Sequence, residues 1–253
     1  MTPALLEAFR PRRSALSAGP GYEIWFACIF DPESRTALWV RYSSFIPAGG
    51  GADSEDASGL RGATAPQGIL WASLFSPDDP ERHVFQALSY PLEECSFAPE
   101  AVELPGARTG PDFLWGEIRS PRGPLTWDLE IKHRFAPAPH GPPRTASLST
   151  IKSTVISPFA RAKGKIKLGR AKALKLTDAH AVFIHVHGSD RMPELYWSYI
   201  PAFAEEPDTA MEAIYVKTSA YQPALCFGTL LRNGEILTDH ALTRALRGAG
   251  RFD

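Results

Sequence analysis

Apolar and polar positions alternate with period two along much of the chain, and the longest such stretch is Tyr22 to Pro47. Two apolar runs there flank a polar turn, Asp31-Pro32-Glu33-Ser34-Arg35. β-rich residues on both sides of turn formers predict a hairpin. Strand side chains alternate between faces, so Glu23, Trp25, Ala27 and Ile29 share a face, as do Trp39, Arg41 and Ser43 on the second strand. The remaining positions (Tyr22, Ile24, Phe26 and Cys28; Leu38, Val40 and Tyr42) are apolar too. Both faces are therefore expected to be at least half buried. A carboxylate and a guanidinium in such a setting need partners, because an unpaired buried charge is costly. The expectation is that Glu23 and Arg41 pair across the hairpin inside a barrel.

Short strands recur along the rest of the chain. Leu5, Leu6, Phe9 and Leu16 fall near helical spacing and predict a short amphipathic helix over residues 1–15. Strands are expected at 68–75, 83–90, 96–104, 113–119 and 125–133. The last alternates Trp127, Leu129 and Ile131 with Asp128, Glu130 and Lys132, the pattern of a sheet with one apolar side. Residues 48–66 are small, polar and glycine-rich and read as a surface insertion or a lid. Residues 136–146 are proline-rich, unfit for a helix interior or a central strand. They are expected to form a stiff linker between units at 1–135 and 147–253. Further strands are expected at 163–169, 173–176, 181–187, 195–200, 211–218 and 224–231. Asn233-Gly234 marks a tight hairpin, and 238–247 reads as a short helix. Strands at about 8 to 12 residue intervals, with no long helix between them, predict an all-β sandwich or barrel in two such units.

Composition narrows the partners. Aromatics make up 11% of the 253 residues, six of them Trp, which suits sheets and ligand-lined cavities. A net charge of -1 argues against nucleic acid as the main partner. Three widely spaced cysteines, Cys28, Cys95 and Cys226, make neither a disulfide scaffold nor a zinc ribbon. No run approaches the ~18 apolar residues of a membrane span. Arg10, Arg12 and Arg13 interrupt the N-terminal stretch, so no signal peptide is expected and the cytoplasm is the default location. Neither GxGxxG nor a phosphate-binding P-loop occurs in a strand-to-helix setting, and GxSxG is missing.

His185-Val186-His187-Gly188, then Trp197-Ser198-Tyr199, then Phe203 run parallel to a pattern H-x-W-G, W-x-H and Phe. In this the second half resembles the C-terminal part of the double-lipocalin, calycin-like proteins, the group with hydroxyneurosporene synthase, AttH-like and tocopherol-cyclase-like members. The hairpin at 22–45 and Trp127-Asp128 resemble that family's first barrel. His187 stands where Trp is usual, and Tyr199 where His is usual. The resemblance implies two lipocalin-like antiparallel β-barrels packed together, an apolar pocket and no cofactor. It implies an enzyme of natural-product or terpenoid metabolism that cyclises, isomerises or hydrates a hydrophobic small-molecule ligand. The alternative is a non-catalytic carrier or sensor of such a ligand.

Glu23, Arg41 and His185 are the candidate catalytic residues. A carboxylate beside an arginine stays ionised and can orient a polar group or act as an acid or base, and the same pair can simply brace a hairpin. His185 and His187, at i and i+2, share a strand face. They can hydrogen-bond as an inward pair, act in a pocket, or bind a metal with a third ligand from His180, Asp178 or Asp190. HxH alone is a weak signal, and no metal is expected. Trp25, Trp39, Trp71, Trp127, Trp197 and Tyr199, with His187, are the candidate ligand-binding residues, and Trp115 and Tyr196 belong to core or cavity. Lys163, Lys165 and Lys167 alternate with Gly164, Ile166 and Leu168 and read as a solvated strand face.

Overall fold

A computed structural model of the chain describes residues 2–13, 19–48, 65–134, 136–139, 151–189, 194–201, 206, 208–217, 225–233 and 235–242. Residues 49–64 of the expected loop at 48–66, most of the linker at 136–146 and the end of the expected helix at 238–247 lie outside the described residues.

The chain starts with a short helix, α1 (Pro3–Phe9), whose N-terminus is capped by the Thr2 hydroxyl accepting from the Leu5 amide at 3.4 Å. Leu5 and Phe9 are its buried positions, and Pro11 stands two residues beyond its end. The hairpin follows as β1 (Gly21–Asp31) and β2 (Thr36–Ile46). Its turn is held by Asp31 Oδ2, which accepts from the Ser34 amide at 3.0 Å and the Ser34 hydroxyl at 2.6 Å. β3 (Gln67–Phe75) and β4 (Val84–Pro91) extend the meander on one side. β5 (Ser96–Phe97), β6 (Val102–Leu104), β7 (Ala107–Gly110), β8 (Phe113–Ser120) and β9 (Gly123–His133) make the opposite arm. β10 (Ala138–Pro139) pairs with β11 (Ile151–Leu168), and β12 (Leu174–Gly188) closes the gap between the arms.

The resulting order is β4-β3-β2-β1-β12-β11-β9-β8-β7-β6-β5. β1 lies at the centre, paired to β2 on one side and to β12 on the other. Ala181 to Ile184 of β12 are buried without interruption, which marks a strand covered on both faces. The expected short strands at 163–169 and 173–176 are the ends of two much longer ones. The expected boundary at 136–146 is likewise crossed: β11 and β12 pair with β9 and β1. The compact units are 1–140 with 149–190, and 141–148 with 191–253.

The sheet of the first unit curls so that its two arms meet. The Tyr42 hydroxyl on β2 donates to the Trp115 carbonyl on β8 at 3.2 Å and accepts from Trp127 Nε1 on β9 at 3.1 Å. Gly116 makes room for this: a Cβ there would fall 2.6 Å from the Trp127 ring. The sheet order begins at β4 and ends at β5 without pairing them, so this is a curled half-barrel where a closed barrel was expected.

The second unit holds a four-stranded antiparallel sheet, β13 (Glu194–Ile200), β14 (Thr209–Lys217), β15 (Leu225–Arg232) and β16 (Glu235–Leu242). β15 and β16 are joined at Asn233, whose φ of 50° is the left-handed value the tight turn requires. Residues 238–242, expected to be helical, continue β16 because β15 offers them a partner edge, with Leu230 opposite Thr238. The protein is thus all-β, as expected, but two barrels are not seen among the described residues.

Candidate functional site

Pro11 and the extended backbone at Arg10 end α1, and the chain continues as a strap over residues 10–13. This strap is anchored to β1 and β12 by a buried polar cluster. Glu23 Oε1 accepts from the Arg12 amide at 2.6 Å, and Oε2 accepts from the Arg13 amide at 2.7 Å. His185 Nε2 meets Glu23 Oε1 at 2.7 Å, and its Nδ1 donates to the Ala8 carbonyl at 2.9 Å. A carbonyl only accepts, so Nδ1 is the donor in that contact. Trp25 Nε1 donates to the Phe9 carbonyl at 2.8 Å. The imidazole of His185 stacks on the Trp25 indole, with ring centroids 4.8 Å apart and planes 8° from parallel. Glu23 is fully buried, and 2% of His185 is exposed.

Beside this cluster is a cavity of about 1170 Å³. The strap forms one wall through Arg10, Pro11 and Arg12, and residues 89–99 form much of the rest, including Tyr90, Leu92, Cys95 and Phe97. Phe97 stacks on Trp25 at 5.9 Å, so the cavity wall is one ring away from His185. Gly68 lets the wall close up: a Cβ at that position would collide with Cys95 Sγ. Burial raises the Tyr90 hydroxyl above its ordinary value and pushes the Cys95 thiol up to about 11, so both keep their protons at neutral pH. Charge at the cavity comes from Arg10 and Arg12 against Glu93. Arg12 contacts Glu7 at 2.5 Å and Arg10 lies 3.8 Å from it, and these side chains are 39% to 58% exposed.

The expected pair of Glu23 with Arg41 across the hairpin is not formed. Asp31 faces Thr36, which leaves four residues in the turn, so odd positions of β1 face even positions of β2. Glu23 accordingly stands opposite Ser44, and Trp25 opposite Tyr42, while Arg41 points to the other face of the sheet. There the Arg41 guanidinium lies 5.5 Å from the Trp71 ring, and Trp71 is 5.0 Å from Trp39. The expected lining residues are thereby scattered. Trp25 and Trp127 are core residues on the inner face, Trp39 and Trp71 are on the outer face, and Trp197 and Tyr199 stack at 5.8 Å in the second unit. Trp115 and Tyr196, 51% and 64% exposed, are in neither core.

His185 and His187 do share a face, with rings 5.5 Å apart. The expected inward, hydrogen-bonded role describes His185. His187 is partly buried, and desolvation, followed by its electrostatic interaction with His185, pushes it down to about 4. A shared metal finds no support in the geometry, because both nitrogens of His185 already bond within the protein. Among the described residues no group of three His, Cys, Asp or Glu side chains gathers as a metal site. The sequence reading missed Arg12, Tyr90, Cys95 and Phe97. The one signal available was the Arg10-Pro11-Arg12 run, whose proline ends the helix and so predicts an extended segment there.

No family model matches the chain. It is 30% identical over 190 residues to uncharacterized proteins of two Mycobacterium tuberculosis strains, CDC 1551 / Oshkosh and ATCC 25618 / H37Rv. The match covers 71% of this chain and 48% of theirs, so the chain spans about half the length of the curated relatives it matches. Among solved structures it is similar to an AttH from Nitrosomonas europaea, with a TM-score of 0.57 at 12% identity over 85% of this chain and 67% of that one. A weaker likeness, TM-score 0.49 at 14% identity over 92% and 63%, is to CghA solved with Sch210972. The chain therefore has the AttH-like fold, while the two packed barrels that the resemblance implied are not seen among the described residues.

Proposed function

We propose that this protein binds an apolar small molecule in the cavity between the strap and the 89–99 wall. The observation that carries the reading is the cavity itself, about 1170 Å³ and lined by Tyr90, Leu92, Phe97 and several prolines. Small-molecule sites are mostly apolar clefts of roughly 300 to 1,000 Å³ with a few placed polar groups. Here those groups are the strap arginines. Glu23 and His185 act in this reading as positioning residues rather than as an acid and a base, because their polar atoms are already hydrogen-bonded within the protein.

Turnover of the ligand by cyclisation, isomerisation or hydration is the second reading. One observation favours it: His187 shares a strand face with His185, its ring 5.5 Å away, and burial keeps its imidazole neutral at neutral pH and able to accept a hydrogen bond or a proton. The rate would come chiefly from holding a reactive conformer, which supplies several kcal/mol in effective molarity. Native mass spectrometry of the protein purified from its own host, followed by denaturing extraction, tests the first reading. A stoichiometric apolar metabolite is the expected result. A protein that stays empty after incubation with a hydrophobic metabolite extract overturns it. Any extracted compound then becomes the substrate for comparing wild type with His187→Ala.

A further inference from the structure

The strap does more than wall the cavity. Its backbone is pinned at residues 12 and 13, where both carboxylate oxygens of the buried Glu23 take consecutive amides. The guanidinium of Arg12 is thereby delivered to the cavity rim by a fixed main chain. Its present partner, Glu7, belongs to the solvent-exposed side of α1, at 2.5 Å from Arg12 and with 58% of its side chain exposed. The same carboxylate also serves Arg10 at 3.8 Å, so two guanidinium groups share one acid. Arg12 holds Glu7 below the ordinary carboxylate range, so the acid is charged at neutral pH. On the cavity lining itself, Arg10 and Arg12 outnumber Glu93 two to one.

We propose that the ligand of this cavity is an apolar molecule with an anionic head group, a carboxylate or its equivalent, and that Arg12 receives that head in place of Glu7. This rests on the reading of the cavity as a binding site. Exchange of one carboxylate for another on an exposed arginine costs little, since exposed ion pairs are weak. The ligand head gains from it, because an arginine fork takes a carboxylate in two parallel hydrogen bonds and the apolar tail enters the space beside Phe97 and Leu92. Glu23 and His185 are the positioning residues for this contact: they touch no ligand and set where Arg12 stands.

The test uses cis-parinaric acid and its methyl ester as fluorescent probes of the full chain. The acid is expected to bind about tenfold more tightly than the ester, as one charge-assisted contact at a partly exposed site provides. Arg12→Gln is expected to remove that preference, so that acid and ester bind with equal affinity. Glu23→Gln lowers the preference without abolishing ester binding, an effect that a purely structural role would not give. Should that variant fail to fold, salt titration of the wild type replaces it, and the acid preference is expected to shrink as salt rises. Equal binding of acid and ester overturns the anionic head and leaves the cavity reading intact. Binding of neither probe overturns both.

Discussion

Two carboxylates hold the strap, one through its backbone and one through a side chain, and their contrast explains most of the site. Glu23 is fully buried and accepts from two backbone amides and an imidazole. Glu7 is exposed and holds two guanidinium groups on flexible stems. The chemistry of the two pairs is nearly the same, and the surroundings set the difference. Charge removed from water must be satisfied completely or it destabilises, so a buried pair becomes a fixed point of the fold. Charge left in water is screened and exchangeable, so an exposed pair becomes a place where a ligand can compete. The structural latch, Glu23 on β1, and the recognition group, the side chain of Arg12 on the strap, therefore have separate duties.

The largest effect is expected on the buried side. Glu23→Ala leaves His185 Nε2 and the amides of Arg12 and Arg13 without their acceptor, and should cost about 3–5 kcal/mol in urea unfolding. Replacing both partners, as Glu23→Leu with His185→Leu, should cost less than the sum of the two single changes if the penalty comes from orphaned polar groups, because His185 Nε2 is no longer left without its acceptor. A double variant that simply adds the two single costs would show that packing matters instead.

Trp25→Phe comes next. It keeps an aromatic ring against His185 but loses the donor to the Phe9 carbonyl, and is expected to cost about 1–2 kcal/mol and to loosen α1. Faster amide exchange in residues 3–9 would register the second part.

The pH dependence of stability is smaller. Folded His187 takes up a proton only near 4, against an ordinary value of 6.5, so the unfolded chain binds more protons between those values. Stability should fall as the pH drops from about 6.5 to about 4, by on the order of 1–2 kcal/mol once water at the partly buried ring is allowed for. His187→Gln should flatten the thermal-melting profile over that window. Smallest of all is Glu7→Gln, expected to leave the urea midpoint unchanged. A large shift there would erase the contrast between the two carboxylates.

Much of the fold was readable from local pattern. The hairpin was legible because Asp31-Pro32-Glu33-Ser34-Arg35 interrupts two apolar runs, and Asn233-Gly234 announced a second turn by its tolerance of positive φ. The clean alternation at 125–133 marked β9. The candidate site was only half legible. Glu23 and His185 could be singled out as buried polar residues, but their partnership spans 162 positions and carries no local signal. Arg41 was given to Glu23 because strand parity was assumed across a turn whose length sets it. The tryptophans were grouped by type, whereas the sheet distributes them over two faces and two units.

What the sequence determined by itself is the inventory of strands, the turns between them and the demand that Glu23 find partners. Those follow from side-chain periodicity, turn stereochemistry and the cost of dehydrating a charge, which are properties of neighbours along the chain. Tertiary structure alone decided that β12 pairs with β1, that the sheet curls until Trp127 meets Tyr42, and that the strap after α1 and a histidine answer Glu23. These are choices among many compatible edges and faces. They are settled by which arrangement buries the apolar surface while leaving no polar group in the interior unanswered.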